Sequence, residues 1–347
     1  VHDEQRPMPP STRLTDAEKK TLDDWIAGGA KRSSDSCGGE APSGEAKPLA
    51  CDAERLTLKA SRPFAMNGGP VDQYVCFGIE VPSAKKRHVV GLAPKVENTK
   101  IVHHILLFQA KEAVSPEPFA CDATVWKMVT GWAPGGGNLE LPPEAGYPME
   151  QGTTHWVVQM HYNNAQGLNG QVDDSGYELC ATDELRPNDA GVLAFGSVRF
   201  SIPPRATHTI RCDYELDSRY QGVKFFGASP HMHTLGASIV TERIPGGTGA
   251  PEEIFGQSPF SFENQENFAI TPHKGVAPGD VLRTRCSWKN PTDAVVKFGE
   301  GTGDEMCFNF LTYYPNIPDK VLGIPILDKI PLQTWVTPSA FASCTAE

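Results

Sequence analysis

The sequence has no run of basic residues, and Asp and Glu outnumber Lys and Arg by 42 to 31, for a formal net charge of −11. Such a surface repels polyanions, so nucleic acid is not an expected partner. Nine cysteines are present, yet no CxxC and no CxxCH occurs. That excludes a thioredoxin-like motif, a zinc finger and an intact haem attachment site. HExxH is absent as well, which removes the usual pairing of a zinc site with a carboxylate base and argues against a zinc hydrolase. No apolar run approaches the roughly 18–20 residues of a membrane helix. Val1 opens the chain without Met or a signal-peptide pattern, so the sequence reads as processed or truncated and its mature form as soluble. Long amphipathic helical patterns and regular repeats are nearly absent.

What the chain does have is punctuation. Its 33 Gly and 30 Pro interrupt short runs rich in Val, Ile, Phe and Thr, the pattern of a mainly β protein. With 347 residues, 39% of them hydrophobic, the expectation is two domains with real cores. "RPNDAGVL", residues 186–193, is the most plausible break. The chain thus divides into residues 1–48, 49–190 and 191–347. Widely spaced cysteines predict disulfides and an extracytoplasmic location, periplasmic or secreted.

Residues 1–30 differ from everything after them. "RLTDAEKKTLDDWIAGGA" carries a capping box in Thr15 and Glu18, apolar Leu22, Trp25 and Ile26 at helical spacing, and a Gly28-Gly29 stop. It predicts one short helix followed by a linker over residues 31–48. With "MPP" at residues 8–10, the segment resembles the C-terminal end of a c-type cytochrome, without the haem-binding half. An ordinary surface helix is the alternative.

Histidines supply the chemistry. In "SPHMHTLG", His231 and His233 share one face if the strand is extended, with Cα atoms about 6.5–7 Å apart, so two imidazoles can chelate one ion. A merely polar strand face would look the same. In "KIVHHILLFQ", His103 and His104 point to opposite faces unless a bulge intervenes. "THWVVQMHYNN" places His155, Val157, Gln159 and His161 on one face. Its two histidines are about 20 Å apart and cannot share a metal, and spacing does not say which one joins His103 and His104. Met306 in "GTGDEMCFNF" offers a thioether, a poor zinc ligand but a good Cu(I) ligand, although a strand Met is more often core. His2, His88, His208 and His273 stand in polar contexts and are expected at the surface.

Taken in order, "VHHILLF", "VVQMHYNN", "HMHTLG", "PGDVLRTRC" and "GDEMC" resemble the motifs of the copper type II, ascorbate-dependent monooxygenases, over about residues 50–345. The resemblance implies two tandem jelly-roll-like β-sandwich domains facing each other across a solvent-filled cleft, with two coppers per chain. His103, His104 and His161 would hold an electron-transfer copper, and His155 matches no ligand. His231, His233 and Met306 would hold the catalytic copper, where O2 is used to hydroxylate a substrate C–H bond. Electrons would come from an ascorbate-like reductant or, given the N-terminal tail, a cytochrome. Gln159 becomes a candidate hydrogen-bonding residue beside the first copper. The alternative function is a non-catalytic copper-binding or carrier protein that keeps both sites.

The family's layout also implies disulfides Cys76–Cys121, Cys286–Cys307 and Cys212–Cys344. Cys51–Cys180 is then the remaining guess, with Cys37 left over. In peptide-hydroxylating members, an Arg two residues before the HxH pair and polar residues just after the Met ligand hold the substrate carboxylate. Ser229, Phe308 and Phe310 stand there instead. A C-terminal glycine peptide is therefore not the expected substrate, and Phe308 and Phe310 would favour an apolar or aromatic small molecule if they reach the cleft.

Overall fold

The computed structural model describes residues 15–27, 48–66, 69–121, 126–134, 136–262, 265–299, 301, 303–317, 320–321, 324–325 and 343–347. Outside them lie His2, the Met8 segment, Gly28-Gly29, the 31–47 linker and Cys37. The N-terminal helix runs Asp16–Ala27. Its capping box is formed: the Thr15 amide donates to Glu18 Oε2 at 2.7 Å and the Glu18 amide to Thr15 Oγ1 at 3.3 Å. The helix buries none of its residues, and Trp25 and Ile26 are exposed.

Apart from short 3-10 helices at Ser218–Tyr220 and Pro245–Gly247, everything else described is strand, turn or loop, arranged as two β-sandwiches. In the first, one sheet orders Glu54–Leu58, Gly176–Thr182, Arg87–Lys95, Ala145–Met149 and Asn188–Asp189. Its facing sheet orders Phe119–Ala120, Asp72–Ser83, Gly152–Asn163, Val102–Ala110 and Lys127–Trp132. In the second sandwich, Gly191–Gly196, Phe308–Tyr314, Lys224–His231 and Phe268–Gly275 form one sheet. The other orders Glu252–Gln257, Gly236–Ile244, Val281–Asn290, Ala206–Glu215 and Ser343–Ala346. The chain crosses from one sandwich to the other at Ala190, between a strand paired with Ala145–Met149 and a strand paired with Phe308–Tyr314.

Burial follows the pleat. The Val281–Asn290 strand alternates, with Leu282, Thr284, Cys286, Trp288 and Asn290 turned inward. The Gly152–Asn163 strand does not alternate and is buried from Trp156 to Tyr162. One of its faces, carrying Trp156, Val158 and Met160, lies in the first core. The other presents Val157 to a second apolar cluster, in which Phe108 and Met128 meet Ala194, Phe308 and Phe310 of the second sandwich. Each large side chain fully buried in that seam contributes roughly 1.5–3 kcal/mol, so the sandwiches are joined by more than their linker.

Among the described residues four disulfides are present, Cys51–Cys180, Cys76–Cys121, Cys212–Cys344 and Cys286–Cys307, the pairs anticipated above. They point to an oxidising compartment. Among the described residues, no helix is long and apolar enough to cross a membrane.

Candidate metal centres

The first histidine set is built by a register slip. His161 pairs with His104 across antiparallel strands, but the next residue, Tyr162, pairs with Val102, leaving His103 as the extra residue of a bulge. The bulge lets two sequence neighbours aim at one point. Nδ1 of His104 lies 3.1 Å from Nδ1 of His161 and 3.4 Å from Nδ1 of His103. One ligand atom from each of the three falls within 4.8 Å of the others.

Behind His161 stands a carboxylate. Asp72 Oδ1 is 2.9 Å from His161 Nε2 and also accepts from Asn163 Nδ2 at 2.8 Å. A ring nitrogen facing a carboxylate carries the proton, so the Nδ1 lone pair of His161 points into the cluster. Tyr74 stacks on the same ring, 4.3 Å away and tilted by 8°. Burial, then the neighbouring His103, lowers the His161 pKa to about 4. Burial, then His161, pushes His104 well below its ordinary value. The His104 and His161 imidazoles are therefore neutral near pH 7, as metal binding requires.

In the second set the expected strand stops early. His231 is the last residue of its strand, and His233 follows in a turn closed by the Gly236 amide on the His233 carbonyl at 3.1 Å. The turn forms because the Glu305 carboxylate takes the amides of His233 and Leu235, at 3.0 and 2.6 Å. The two rings still converge, with centroids 5.3 Å apart and planes at 87°. Nδ1 of His231 is held by Gln265 Oε1 at 2.6 Å and Nδ1 of His233 by the Asp304 carbonyl at 2.9 Å. Each oxygen is an acceptor, so both Nδ1 atoms carry hydrogen and Nε2 is left for a ligand. Burial, then His233, lowers the His231 pKa to about 3.

All six expected ligands, His103, His104, His161, His231, His233 and Met306, line one cavity of about 160 Å3. The resemblance implied a solvent-filled cleft between the sets. Here the Phe262 ring closes on both, 5.7 Å from His103 and 6.3 Å from His233. Leu106, Phe108, Met128, Trp132 and Phe310 also line the cavity, and Glu266 is the single carboxylate among the lining residues.

Other expected residues fall as follows. Gln159 lines the cavity, with its amide nitrogen 3.8 Å from Cys121 Sγ; the group on His161 is Asp72. Ser229 lines the cavity and donates to Asn267 Oδ1. Phe310 reaches the cavity, whereas Phe308 is buried against Phe298 and Phe310 at 6.1 and 5.7 Å. His155 is remote from the cluster, with Nδ1 3.2 Å from Glu80 Oε1. His88 is not at the surface: it is 2% exposed, its Nε2 is 2.8 Å from Asp189 Oδ1, and its Nδ1 accepts the Arg186 amide at 3.1 Å. That carboxylate and amide offset the cost of burying it. Sequence reasoning missed Asp72, Phe262, Gln265 and Glu266, none of which stands in a motif. Glu305 does stand in a motif, "GDEMC", but the motif assigns it no role.

The donor chemistry fits copper. Neutral imidazoles suit both copper oxidation states, and a thioether favours the reduced one. Comparisons agree. Residues 68–169 match the model of the copper type II ascorbate-dependent monooxygenase N-terminal domain, and residues 188–324 that of the C-terminal domain. The chain is 28% identical to dopamine beta-hydroxylase of Rattus norvegicus over 299 residues, 78% of this chain and 48% of that protein. It is 28% identical to tyramine beta-hydroxylase of Caenorhabditis briggsae over 254 residues, 67% of this chain and 43% of that one. It also matches DBH-like monooxygenase protein 1 of Homo sapiens at 28% over 276 residues, 70% of this chain and 44% of the relative. The chain thus spans about half the length of the curated relatives it matches. With one family domain over each histidine set, the chain belongs to the copper type II ascorbate-dependent monooxygenases.

Proposed function

We propose that this protein is a monooxygenase that hydroxylates a C–H bond of a small aromatic amine. The observation that carries this reading is the single cavity on which both histidine sets and Met306 open. His103, His104 and His161 would hold the electron-transfer copper, and His231, His233 and Met306 the oxygen-reactive one. Copper in these positions supplies the one-electron steps by which O2 is reduced. The balance is one C–H bond and O2, with two electrons and two protons, giving an alcohol and water.

The chain's own residues do the rest. Burial keeps the His104, His161 and His231 imidazoles neutral, so protons do not compete for those ligand nitrogens. Phe108, Trp132 and Phe310 give the cavity an apolar wall that excludes water and accepts an aromatic ring. Glu266 is the only carboxylate there, and no Lys or Arg lines the cavity among the described residues. That arrangement suits an ammonium and repels a carboxylate, which supports excluding C-terminal glycine peptides. Two of the relatives are named for dopamine and tyramine, both arylalkylamines.

The family description names ascorbate. The cytochrome-like tail lies ahead of both matched ranges, so an ascorbate-like donor is the reductant in this reading. Residues 49–190 and 191–347 are taken as the two jelly-roll-like copper domains, in a secreted or periplasmic protein. The test is copper loading followed by turnover of a phenylethylamine with ascorbate. About two copper equivalents should be retained after desalting, and O2 uptake should match the hydroxylated product. Copper retention with no product would make the chain a copper carrier instead.

A further inference from the structure

Met306 sits between two residues anchored to the same strand. On its C-terminal side, Cys307 is bonded to Cys286. On its N-terminal side, the Glu305 carboxylate accepts the Trp288 indole N–H at 3.0 Å. Cys286 and Trp288 lie on one inward face of the Val281–Asn290 strand. With the side chains of 305 and 307 turned into the core, that of Met306 faces the cavity it lines.

Glu305 itself is fully buried, and the hydrogen bonds to its carboxylate all come from N–H groups. Its Oε2 accepts the amides of His233 at 3.0 Å and Met306 at 3.3 Å as well as Trp288, and its Oε1 accepts Leu235 at 2.6 Å. One carboxylate therefore joins the HxH segment, the Met segment and the core strand, across a chain separation of 72 residues between His233 and Glu305. A carboxylate withdrawn from water is costly unless its lone pairs are filled, and here they are filled by the backbone that carries two candidate ligands.

We propose that Glu305 is the positioning residue that sets the Met306 thioether against the His233 imidazole. This rests on the reading of Met306 as a copper ligand. Glu305 touches neither the substrate nor the metal. It acts by fixing the two backbone segments, so its loss should detach the sulfur while both histidines still bind.

The experiment compares wild type with Glu305→Ala, Glu305→Gln and, as a stability control, Leu282→Ala. Leu282 is fully buried in the same half, on the same strand as Trp288 but about 20 Å along it. Copper K-edge X-ray absorption of the Cu(I)-loaded proteins reads the Cu–S shell. Amide hydrogen exchange of the metal-free proteins reads Leu235 and Met306 relative to the 281–290 strand. Glu305→Ala should keep about two coppers, lose the Cu–S shell, and exchange those two amides about a hundredfold faster. Glu305→Gln should be intermediate, since its oxygen can replace Oε2 while its NH2 opposes the Leu235 amide. Leu282→Ala should keep the Cu–S shell.

A normal Cu–S shell in Glu305→Ala would overturn the proposal. So would its loss in Leu282→Ala, which would make general stability the cause. If Glu305→Ala does not fold, Glu305→Gln decides: wild-type absorption and exchange in it overturn the proposal. A wild-type protein without a Cu–S shell would instead remove Met306 as a ligand, and the proposal with it.

Discussion

Asp72 and His161 face each other across the edge of the first histidine set, carboxylate to Nε2 at 2.9 Å, while the Nδ1 of that ring lies 3.1 Å from His104. The carboxylate fixes the tautomer and the ring orientation together. Asp72→Ala should weaken copper binding at the three-histidine set by about 10–100-fold. Asp72→Asn, which keeps an acceptor oxygen, should lose less. Competition with a Cu(I) chelator measures this, and unchanged affinity in Asp72→Ala would falsify the role.

Acid should destabilise the metal-free protein early. His161 is lowered to about 4 and His231 to about 3, and His104 and His233 move the same way. The unfolded chain takes up these protons near the ordinary value of 6.5, whereas the folded chain does not until about 4 or 3. Stability is therefore full above that ordinary value and is lost as pH falls through the window below it. Glu305 opposes the trend, because burial raises its carboxyl to about 7 and the folded state gains that proton first. Four histidines against one carboxyl leave a net loss. The urea midpoint should be lower at pH 5 than at pH 7.5, and Glu305→Gln should steepen the fall. An equal or higher midpoint at pH 5 would contradict these shifts.

Glu266→Gln should raise KM for a phenylethylamine by about tenfold with little change in kcat, because it removes a partner used equally in ground and transition states. A neutral arylalkyl analogue should show no such difference. If the two substrates respond alike, Glu266 does not face the ammonium.

Cys212→Ser should cost about 2–4 kcal/mol in urea unfolding, since the bond to Cys344 closes a loop spanning 132 residues. Copper content should stay at about two equivalents. Loss of the second copper would mean that the staple supports the Met306 side of the cavity as well.

Some of this was legible in the sequence for physical reasons. Two adjacent histidines can share a metal only through a bulge, and the register slips by one residue at His103. The alternation around His161 correctly separated the Trp156 face from the His161 face. What escaped depended on contacts that no local pattern encodes. Asp72 reaches His161 because its strand lies in register with Gly152–Asn163, pairing Asp72 with Asn163. His88 looked exposed because its neighbours are polar, yet Asp189 and the Arg186 amide satisfy it in the interior. His233 left the strand because a carboxylate 72 residues away captured its amide.

Each disulfide closes within a single sandwich, Cys51–Cys180 and Cys76–Cys121 before Ala190, Cys286–Cys307 and Cys212–Cys344 after it. A growing chain can therefore finish oxidising its first half while the second is still being translated, with no sulfur borrowed across the junction. The second half repeats the arrangement of the first, a long bond enclosing a short one. Cys51 must wait for Cys180, 129 residues later, and Cys212 for Cys344, 132 residues later, and throughout each interval the earlier cysteine is open to wrong partners. The burden of disulfide isomerisation during biogenesis thus falls on one long bond in each half, taken up in turn rather than together.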